Sequence, residues 1–320
     1  MDDPLRPFFD AAGLVILDGG LATELEHRGF DLADPLWSAR LLLEAPEAIE
    51  ALHLDYLMAG ADIVTSASYQ ASFEGFAARG IAEPAAAELM RSSLRLAARA
   101  RDRFWAEPAN RPGRCRPLIA ASVGPFGATR ADGSEYHGDY GASLVELIDF
   151  HRPRLRLLAD AGADLLACET IPSRLEAEAI LAVLAELDGP PAWLSFSCRD
   201  AARVAHGEPF ADCLALAAAS PRVLAAGLNC CAPALVLPWL QARPAGFAKP
   251  LLAYPNRGER WDAAARRWRP APAGDLGAEE LAAQAGAWVQ AGARLIGGCC
   301  RTGPADTRAI RAALIGSPAP

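Results

Sequence analysis

The stretch Ala161-Gly162-Ala163-Asp164-Leu165-Leu166-Ala167-Cys168-Glu169 contains the pattern that decides the fold. It joins the end of a predicted amphipathic helix to a short apolar run, and its Ala-Gly-Ala step is typical of a glycine helix cap followed by a return to a sheet. The same step recurs at Ala59-Gly60-Ala61 and Ala291-Gly292-Ala293. Near-continuous apolar runs are typical of parallel strands that are buried on both faces. The chain is therefore predicted to repeat a strand–helix unit.

Eight such runs are predicted strands: Leu14–Asp18, Asp62–Ser66, Leu118–Val123, Asp164–Glu169, Ala192–Ser197, Leu224–Asn229, Pro250–Tyr254 and Arg294–Gly298. The predicted helices between and after them are Pro46–Ala59, Pro84–Arg103, Ser143–Ala161, Ser173–Leu187, Ala278–Ala291 and Ala305–Leu314. Two proline-bearing stretches, Pro108–Pro117 and Pro233–Lys249, are interpreted as loops and short connections. Eight alternations in 320 residues predict an α/β fold, a (β/α)₈ TIM barrel in a single domain. A doubly wound open sheet is the alternative, and Asp18-Gly19-Gly20 weakens it because no G-x-G-x-x-G follows the first strand.

Composition narrows the function classes. The chain has 320 residues, of which 52% are hydrophobic, and its net charge of −8 argues against nucleic acid as a partner. It opens with Met1-Asp2-Asp3, with no basic segment before an apolar run, and contains no uncharged stretch long enough to span a bilayer. We therefore expect a cytoplasmic protein with no membrane partner. Arg152, Arg154 and Arg156 are interpreted as solvated surface charges, and the five histidines as structural residues.

The eight cysteines are expected to be reduced, because the chain is large, has ample core and lacks signs of secretion. Adjacent cysteines such as Cys299 and Cys300 also meet the geometry of a disulfide poorly. For reduced cysteines, metal binding or nucleophilic chemistry is a better expectation than disulfide formation. Cys115, Cys198 and Cys213 have no obvious partners and are interpreted as ordinary buried or loop residues.

Polar residues cluster where the predicted strands end: Asp18, Thr65, Tyr69, Ser122, Glu169, Asn229, Cys230, Asn256, Cys299 and Cys300. In a TIM barrel these carboxyl ends converge on one face, where active sites lie. Any one of them, taken alone, could be a satisfied loop-capping residue. Together they predict a polar ring at the mouth of the barrel.

Cys230 follows strand six and Cys299-Cys300 follows strand eight, so the three thiols are expected to be neighbours. Three thiolates with one open position suit a catalytic Zn²⁺ site. A closed four-cysteine site is the alternative and would need Cys231, expected to point away, or Cys168, expected to face the opposite side of its strand from Glu169. A zinc ion with strongly donating sulfur ligands suits holding a substrate thiol as thiolate.

Two short motifs end in the cysteines of the predicted metal site: Gly227-Leu228-Asn229-Cys230 and Gly297-Gly298-Cys299-Cys300. They look like the zinc motifs of the homocysteine S-methyltransferase family. The resemblance extends in order through segments 17–25, 60–65, 68–72, 122–127 and 169–172 and covers nearly the whole chain. It implies one homocysteine-binding TIM-barrel domain over residues 1–320, with zinc on Cys230, Cys299 and Cys300.

The resemblance also implies roles for the residues that bind substrate. Asp18 and Glu169 match acidic residues that bind the amino group of homocysteine, and the amides around Gly19 and Gly20 match the site for its carboxylate. Asn229 belongs to the same predicted substrate site. Trp37 matches an aromatic residue near the methyl donor, where cation–π contact is reasonable, although a hydrophobic plug is the alternative. Tyr69 matches a tyrosine near the zinc.

The implied reaction is methyl transfer from a sulfonium, S-methylmethionine or S-adenosylmethionine, to the homocysteine thiolate, which gives methionine. A neutral thioether leaves, so no general acid is needed. Arg257 departs from the family pattern and leaves donor choice open, while Phe126 in place of a common tyrosine removes one hydroxyl. Alternatives are a betaine- or selenocysteine-type methyltransferase of the same family, a zinc hydrolase, or a non-enzymatic zinc or thiol protein. A monomer or small homo-oligomer is expected.

Overall fold

The computed structural model describes residues 3–31, 37–130, 132–258, 260–262, 267–269 and 276–316. Within these ranges, eight parallel strands form the main sheet, in the spatial order β1-β10-β7-β6-β5-β4-β3-β2. They are β1 Val15–Ile16, β2 Ile63–Thr65, β3 Leu118–Val123, β4 Leu165–Ile171, β5 Ala192–Phe196, β6 Val223–Asn229, β7 Leu251–Tyr254 and β10 Ala293–Ile296. A separate antiparallel hairpin consists of β8 Arg260–Asp262 and β9 Arg267–Arg269.

The first and second strands close this sheet into a barrel. Leu17 forms a parallel bridge with Ile63, and the Asp62 amide donates to the Ile16 carbonyl at 2.7 Å. All eight predicted strands are present within two residues of their predicted ends. The predicted TIM barrel is confirmed and the open sheet is excluded, because the two outermost strands of an open sheet would not bond to each other.

The helices are α1 Arg6–Ala12, α2 Leu21–His27, α3 Leu41–Glu44, α4 Pro46–Ala59, α5 Phe73–Ala77, α6 Glu83–Ala106, α7 Leu144–Asp160, α8 Arg174–Glu186, α9 Phe210–Ala219, α10 Pro233–Gln241, α11 Ala278–Gln290 and α12 Pro304–Leu314. Gly60, Gly162 and Gly292 all have positive φ, as expected for glycines at helix ends. The interpretation of Pro233–Lys249 as loop is wrong over Pro233–Gln241. Pro233 lies in the first helical turn, where its missing N–H costs nothing.

Two apolar layers hold the fold together. Side chains such as Val15, Leu165 and Leu295 fill the barrel interior, while Leu166, Leu194 and other residues pack between the sheet and the surrounding helices. Because β-strand side chains alternate in direction, adjacent residues of one strand serve the two layers. No helix in the described part of the chain is both long and apolar enough to cross a membrane.

Arg154 does not lie on a solvated surface, so that prediction is wrong. Its guanidinium is buried on α7 and donates to the carbonyls of Gly124 at 3.0 Å, Ser68 at 2.7 Å, and Tyr69. A buried cation surrounded by carbonyl oxygens keeps its hydrogen bonds although it has left water. Arg154 therefore joins the loops that follow β2 and β3 behind the mouth of the barrel.

Candidate active site

Three sulfur atoms converge at the carboxyl ends of β6 and β10. The Sγ atoms of Cys230, Cys299 and Cys300 all lie within 4.8 Å of one another, and the separation between Cys230 Sγ and Cys300 Sγ is 3.8 Å. Cys230 and Cys300 are buried, and Cys299 is partly exposed. We refer to these residues as the thiol cluster. It is the one group of three or more potential metal ligands found among the described residues.

The thiol cluster fits a tetrahedral metal. Zn–S bonds of about 2.3 Å place the sulfurs of a tetrahedral site about 3.8 Å apart, which matches the separation between Cys230 and Cys300. Hydrogen bonds from Cys299 and Cys300 lower the pKa of Cys230, and the same bonds to Cys230 raise the pKa values of Cys299 and Cys300. Full ionisation of all three thiols therefore requires a cation among them.

Neither of the alternative fourth cysteines joins the thiol cluster. Cys168 packs in the layer between the sheet and the helices, on the opposite side of β4 from Glu169. Burial raises the pKa of Cys231, and a hydrogen bond with Cys198 raises it further. Cys198, for which the sequence indicated no partner, is therefore the neighbour of Cys231. Among the described residues, the group that could hold a metal ion therefore consists of three thiols, and an open fourth position stays a prediction.

The backbone around the thiol cluster adopts sparsely populated conformations. Among the residues that the structure describes, three other than glycine have positive φ: Thr170 at 62°, Cys230 at 51° and Arg301 at 67°. Such conformations cost about 1–3 kcal/mol each and persist only where the surroundings enforce them. Cys230 is itself a cluster residue, and Arg301 directly follows Cys300. These unfavourable backbone conformations lower the stability of the fold, and they direct the thiols of Cys230 and Cys300 into the site.

The end of β7 holds both cysteine segments in place. The Cys230 amide donates to the Tyr254 carbonyl at 3.3 Å, and the Cys299 amide donates to the Pro255 carbonyl at 2.8 Å. The Cys300 amide donates to Asn256 Oδ1 at 3.1 Å. Asn256, predicted as part of the polar ring, therefore fixes the backbone of one cluster residue.

Asp18 lies buried at the mouth of the barrel with Thr65 as its partner. The Thr65 amide donates to Asp18 Oδ2 at 2.7 Å, and the Thr65 hydroxyl contacts the same carboxylate at 3.0 Å. Burial raises the pKa of Asp18 to about 8, although the Thr65 hydrogen bonds oppose the shift. A cation next to Asp18 would restore its negative charge at neutral pH.

Glu169, like Asp18, is a buried carboxylate held by hydroxyl groups, and it lies on the neighbouring side of the mouth. The Ser122 hydroxyl donates to Oε1, and the Tyr254 hydroxyl donates to Oε2 at 3.0 Å. Tyr254 in turn accepts a hydrogen bond from Trp193 Nε1 at 3.1 Å. Burial raises the pKa of Glu169 to about 7, against the effect of the two hydroxyl donors. Asp18 and Glu169 thus form a pair of buried carboxylates whose hydrogen-bond partners are neutral amide and hydroxyl groups.

Asn229 is fully buried, and its side chain forms hydrogen bonds with Thr170. Its Oδ1 accepts from the Thr170 amide at 2.8 Å, and its Nδ2 donates to the Thr170 hydroxyl at 2.8 Å. Nδ2 also approaches Cys299 Sγ at 4.0 Å. These contacts hold the turn after Glu169, and direct binding of substrate by Asn229 stays a prediction.

Two tyrosines lie near the thiol cluster, and the sequence predicts one of them, Tyr69. Tyr69 is half-buried. Its pKa is raised by burial and by the charges of Glu135 and Cys230. Tyr136 was missed, yet its hydroxyl lies 3.5 Å from Cys230 Sγ. It belongs to a short 3₁₀ helix, Ser134–Tyr136, in the loop between β3 and α7. No strand end marks this position in the sequence.

The glycine loop after β1 packs tightly against the second cysteine motif. A Cβ atom on Gly19 would lie 2.8 Å from the Thr302 carbonyl oxygen, and one on Gly20 would lie 2.5 Å from the Cys299 carbonyl oxygen. The Gly20 amide already donates to the Thr302 carbonyl at 2.9 Å. The loop is therefore restricted to glycine by close approach, and binding of a substrate carboxylate there stays a prediction.

Trp37 and Arg257 are the two predicted residues that bear on the methyl donor, and the structure describes side-chain contacts for Arg257 alone of these two. Trp37 begins a 3₁₀ helix, Trp37–Arg40, but its side chain lies outside the described residues. Arg257 donates through Nε to the Leu276 carbonyl at 2.7 Å, and its guanidinium lies 3.6 Å from Asp306 Oδ1. Arg257 is therefore paired within the protein near the start of α12.

Comparisons with known proteins agree with this geometry. A family model described as homocysteine S-methyltransferase matches residues 15–314. The chain is 46% identical to homocysteine S-methyltransferase YbgG of Bacillus subtilis, over 97% of each chain. It is 44% identical to selenocysteine Se-methyltransferase of Brassica oleracea, over 96% of this chain and 90% of that one. The metallated form of the homocysteine methyltransferase MmuM of Escherichia coli superposes with a TM-score of 0.85 at 45% identity, over 97% of this chain and 99% of that one.

Proposed function

The chain belongs to the homocysteine S-methyltransferase family, and from this membership and the site we propose that it transfers a methyl group from a sulfonium donor to zinc-bound homocysteine. The products are methionine and a neutral thioether. The observation that carries the proposal is the convergence of Cys230, Cys299 and Cys300 within 4.8 Å. These three residues would hold the zinc. When bound, zinc supplies the positive charge that keeps the substrate thiol ionised at neutral pH.

The two buried carboxylates are suited to the amino group of homocysteine. Asp18 and Glu169 lie beside the thiol cluster, and burial raises both pKa values, to about 8 and about 7. An ammonium group placed between them would favour their charged forms through charge-assisted hydrogen bonds. Their hydroxyl partners Thr65, Ser122 and Tyr254 fix the direction of the carboxylate oxygens. The substrate is thereby oriented with its thiol toward the cysteines.

The chemistry favours a sulfonium over betaine as the donor. A sulfonium loses its methyl group together with a neutral thioether, so no residue has to donate a proton to the leaving group. Betaine has a poorer leaving group and a carboxylate that requires a cationic partner. Arg257, the candidate for that role, already contacts the Leu276 carbonyl and Asp306. We therefore assign S-methylmethionine or S-adenosylmethionine as the donor.

A donor panel tests this function. The zinc-loaded protein is incubated with homocysteine and, in parallel, with S-methylmethionine, S-adenosylmethionine or betaine, and methionine is quantified. We expect turnover with at least one sulfonium and none above background with betaine. A chelator-treated sample and a Cys230→Ser variant serve as controls and should both be inactive. Betaine turnover at a rate comparable with S-methylmethionine would refute the donor assignment, and turnover in the chelated sample would refute the zinc assignment.

A further inference from the structure

Glu135 is a third buried carboxylate near the thiol cluster, and neither the sequence motifs nor the roles above use it. Its side chain is 8% exposed. Glu135 lies in the short 3₁₀ helix of the β3–α7 loop, directly before Tyr136, whose hydroxyl is 3.5 Å from Cys230 Sγ. Burial raises the pKa of Glu135 to about 7, and the charge of Cys230 adds to this shift. Asp18 and Glu169, in contrast, lie at the ends of β1 and β4.

Glu135 differs from the other two carboxylates in its partners. Asp18 accepts from Thr65, and both oxygens of Glu169 accept from hydroxyl groups. Glu135 Oε2 is buried and has no hydrogen-bond partner among the described residues. A buried carboxylate oxygen without a partner costs free energy. The fold retains that cost at the edge of a site that takes charged substrates.

The position of Glu135 is fixed by its surroundings. Its carbonyl accepts from the Ser197 hydroxyl at 3.2 Å at the end of β5. The Ser134 hydroxyl donates to the Gly127 carbonyl at 3.3 Å, and a Cβ on Gly127 would lie 2.6 Å from the Glu135 nitrogen. The adjacent Tyr136 hydroxyl lies 3.5 Å from Cys230 Sγ. Contacts on both sides thus hold Glu135 at a fixed place beside the cluster.

We propose that Glu135 binds the cationic methyl donor, its unpaired Oε2 facing the positive charge of the sulfonium amino acid. This inference rests on the proposed function and deepens it, because it assigns a residue to the second substrate. In the proposed function Asp18 and Glu169 bind the ammonium of homocysteine, so among the described residues near the thiol cluster Glu135 is the buried carboxylate left for the donor. A bound cation gives Oε2 the electrostatic partner that the protein does not provide.

The test replaces the charge and keeps the shape. Glu135→Gln is compared with the wild-type protein and with Asp132→Asn, an exposed carboxylate of the same loop whose side chain caps the Ser134 amide at 2.9 Å. We expect Glu135→Gln to raise the KM for S-methylmethionine about tenfold to hundredfold, the effect of losing one charged hydrogen bond. The KM for homocysteine and the zinc content should stay at wild-type values, as should every parameter of Asp132→Asn.

A binding measurement gives a readout that does not depend on turnover. S-methylmethionine alone should raise the Tm of the wild-type protein and of Asp132→Asn, and this shift should shrink or vanish in Glu135→Gln. Glu135→Asp keeps the charge and should restore part of the shift and part of the KM, which a purely structural role of the side chain would not produce.

The outcomes separate this inference from the proposed function. Methionine formation by the wild-type protein with an unchanged donor KM and Tm shift in Glu135→Gln would overturn the role of Glu135 alone. Absence of methionine formation from every sulfonium donor by the wild-type protein would overturn the proposed function itself. If Glu135→Gln lost zinc, Glu135→Asp would take its place in the comparison with the wild-type protein. An equal rise in the KM for the donor and the KM for homocysteine would also overturn the inference.

Discussion

Asn229 and Thr170 exchange a pair of hydrogen bonds, each 2.8 Å long, across the ends of β6 and β4. Asn229 immediately precedes Cys230, and Thr170 immediately follows Glu169. The pair therefore sets the position of a thiol of the cluster relative to a carboxylate that we assign to homocysteine. Both Thr170 and Cys230 have positive φ, so this link also helps to enforce two unfavourable backbone conformations.

Replacing Asn229 with alanine should weaken both the fold and catalysis. The change leaves the buried Thr170 amide without its acceptor, and we expect a loss of about 1–3 kcal/mol in the free energy of unfolding. Urea denaturation measures that loss, and the KM for homocysteine should rise because Glu169 is no longer held in register. Asn110→Ala also removes a side-chain bond, to the Phe104 carbonyl, but far from the site. Equal KM values for the two variants would argue against the link.

Serine at any one of Cys230, Cys299 or Cys300 should abolish stoichiometric zinc binding and activity. A hydroxyl is a poorer ligand for zinc than a thiolate, and each cysteine supplies a third of the protein ligands. Metal analysis of the purified variants measures the occupancy. Cys115→Ser, a change outside the thiol cluster, is the matched control and should retain one zinc per chain. A cluster variant that kept full zinc and full activity would remove that residue from the site.

Asp18→Asn and Glu169→Gln should each raise the KM for homocysteine about tenfold or more while zinc remains bound. Each change removes one charge-assisted hydrogen bond to the ammonium group, a contact typically stronger than 1.5 kcal/mol. Steady-state kinetics with homocysteine as the varied substrate measures the effect. 4-Mercaptobutanoate, which is homocysteine without its amino group, offers a substrate-side control whose use should change little in either variant. Wild-type KM values for homocysteine in both variants would show that the ammonium lies elsewhere.

His53 should make the stability of the protein depend on pH in the acid range. Burial lowers its pKa from 6.5 to about 4, and among the described residues neither ring nitrogen has a hydrogen-bond partner. The folded state therefore keeps His53 neutral between pH 6.5 and about 4, while the unfolded chain takes up a proton. Because the unfolded state binds more protons in this window, stability falls as the pH decreases through it.

The variant His53→Leu isolates this contribution. We expect the wild-type protein to lose roughly 3 kcal/mol more than the variant between pH 6.5 and 4, which corresponds to the pKa difference at 1.36 kcal/mol per unit. Urea denaturation of both proteins at several pH values measures it, and other titrating groups cancel in the comparison. Parallel stability curves for the two proteins would contradict the prediction.

The barrel and its thiol cluster could be predicted from the sequence because both depend on local patterns. Apolar runs mark buried parallel strands, and the topology of a closed barrel brings the ends of β6 and β10 together whatever the loops do. The same reasoning placed Asp18, Glu169 and Asn229 at the mouth. Residues on strand ends are thus accessible to sequence analysis once the fold class is known.

Residues on the β3–α7 loop could not be predicted in this way. Tyr136 and Glu135 reach the site because Gly127 permits a close backbone approach and Ser197 binds the loop from β5. These are tertiary contacts, which no periodic pattern in the sequence reports. The candidate residues that the motifs left out, Glu135 and Tyr136, therefore lie outside the strands.

The burial of Arg154 is indicated by its position on the helix, although the charge of an arginine predicts exposure. The buried positions of α7 include Leu147, Phe150, His151, Arg154 and Leu158, a spacing of three and four that marks one helix face. An arginine at such a position is normally solvated, but here the carbonyls of two loops replace water. The helical pattern was a better guide to its burial than its charge.

The coordination shell of the zinc tests the central claim most directly. X-ray absorption spectroscopy of the zinc-loaded protein should show three sulfur ligands and one oxygen or nitrogen, because the described residues provide three thiols within 4.8 Å of one another. Addition of homocysteine should change the shell to four sulfurs at about 2.3 Å. A shell of four sulfurs before homocysteine, or one that stays unchanged after saturation with it, would contradict the account.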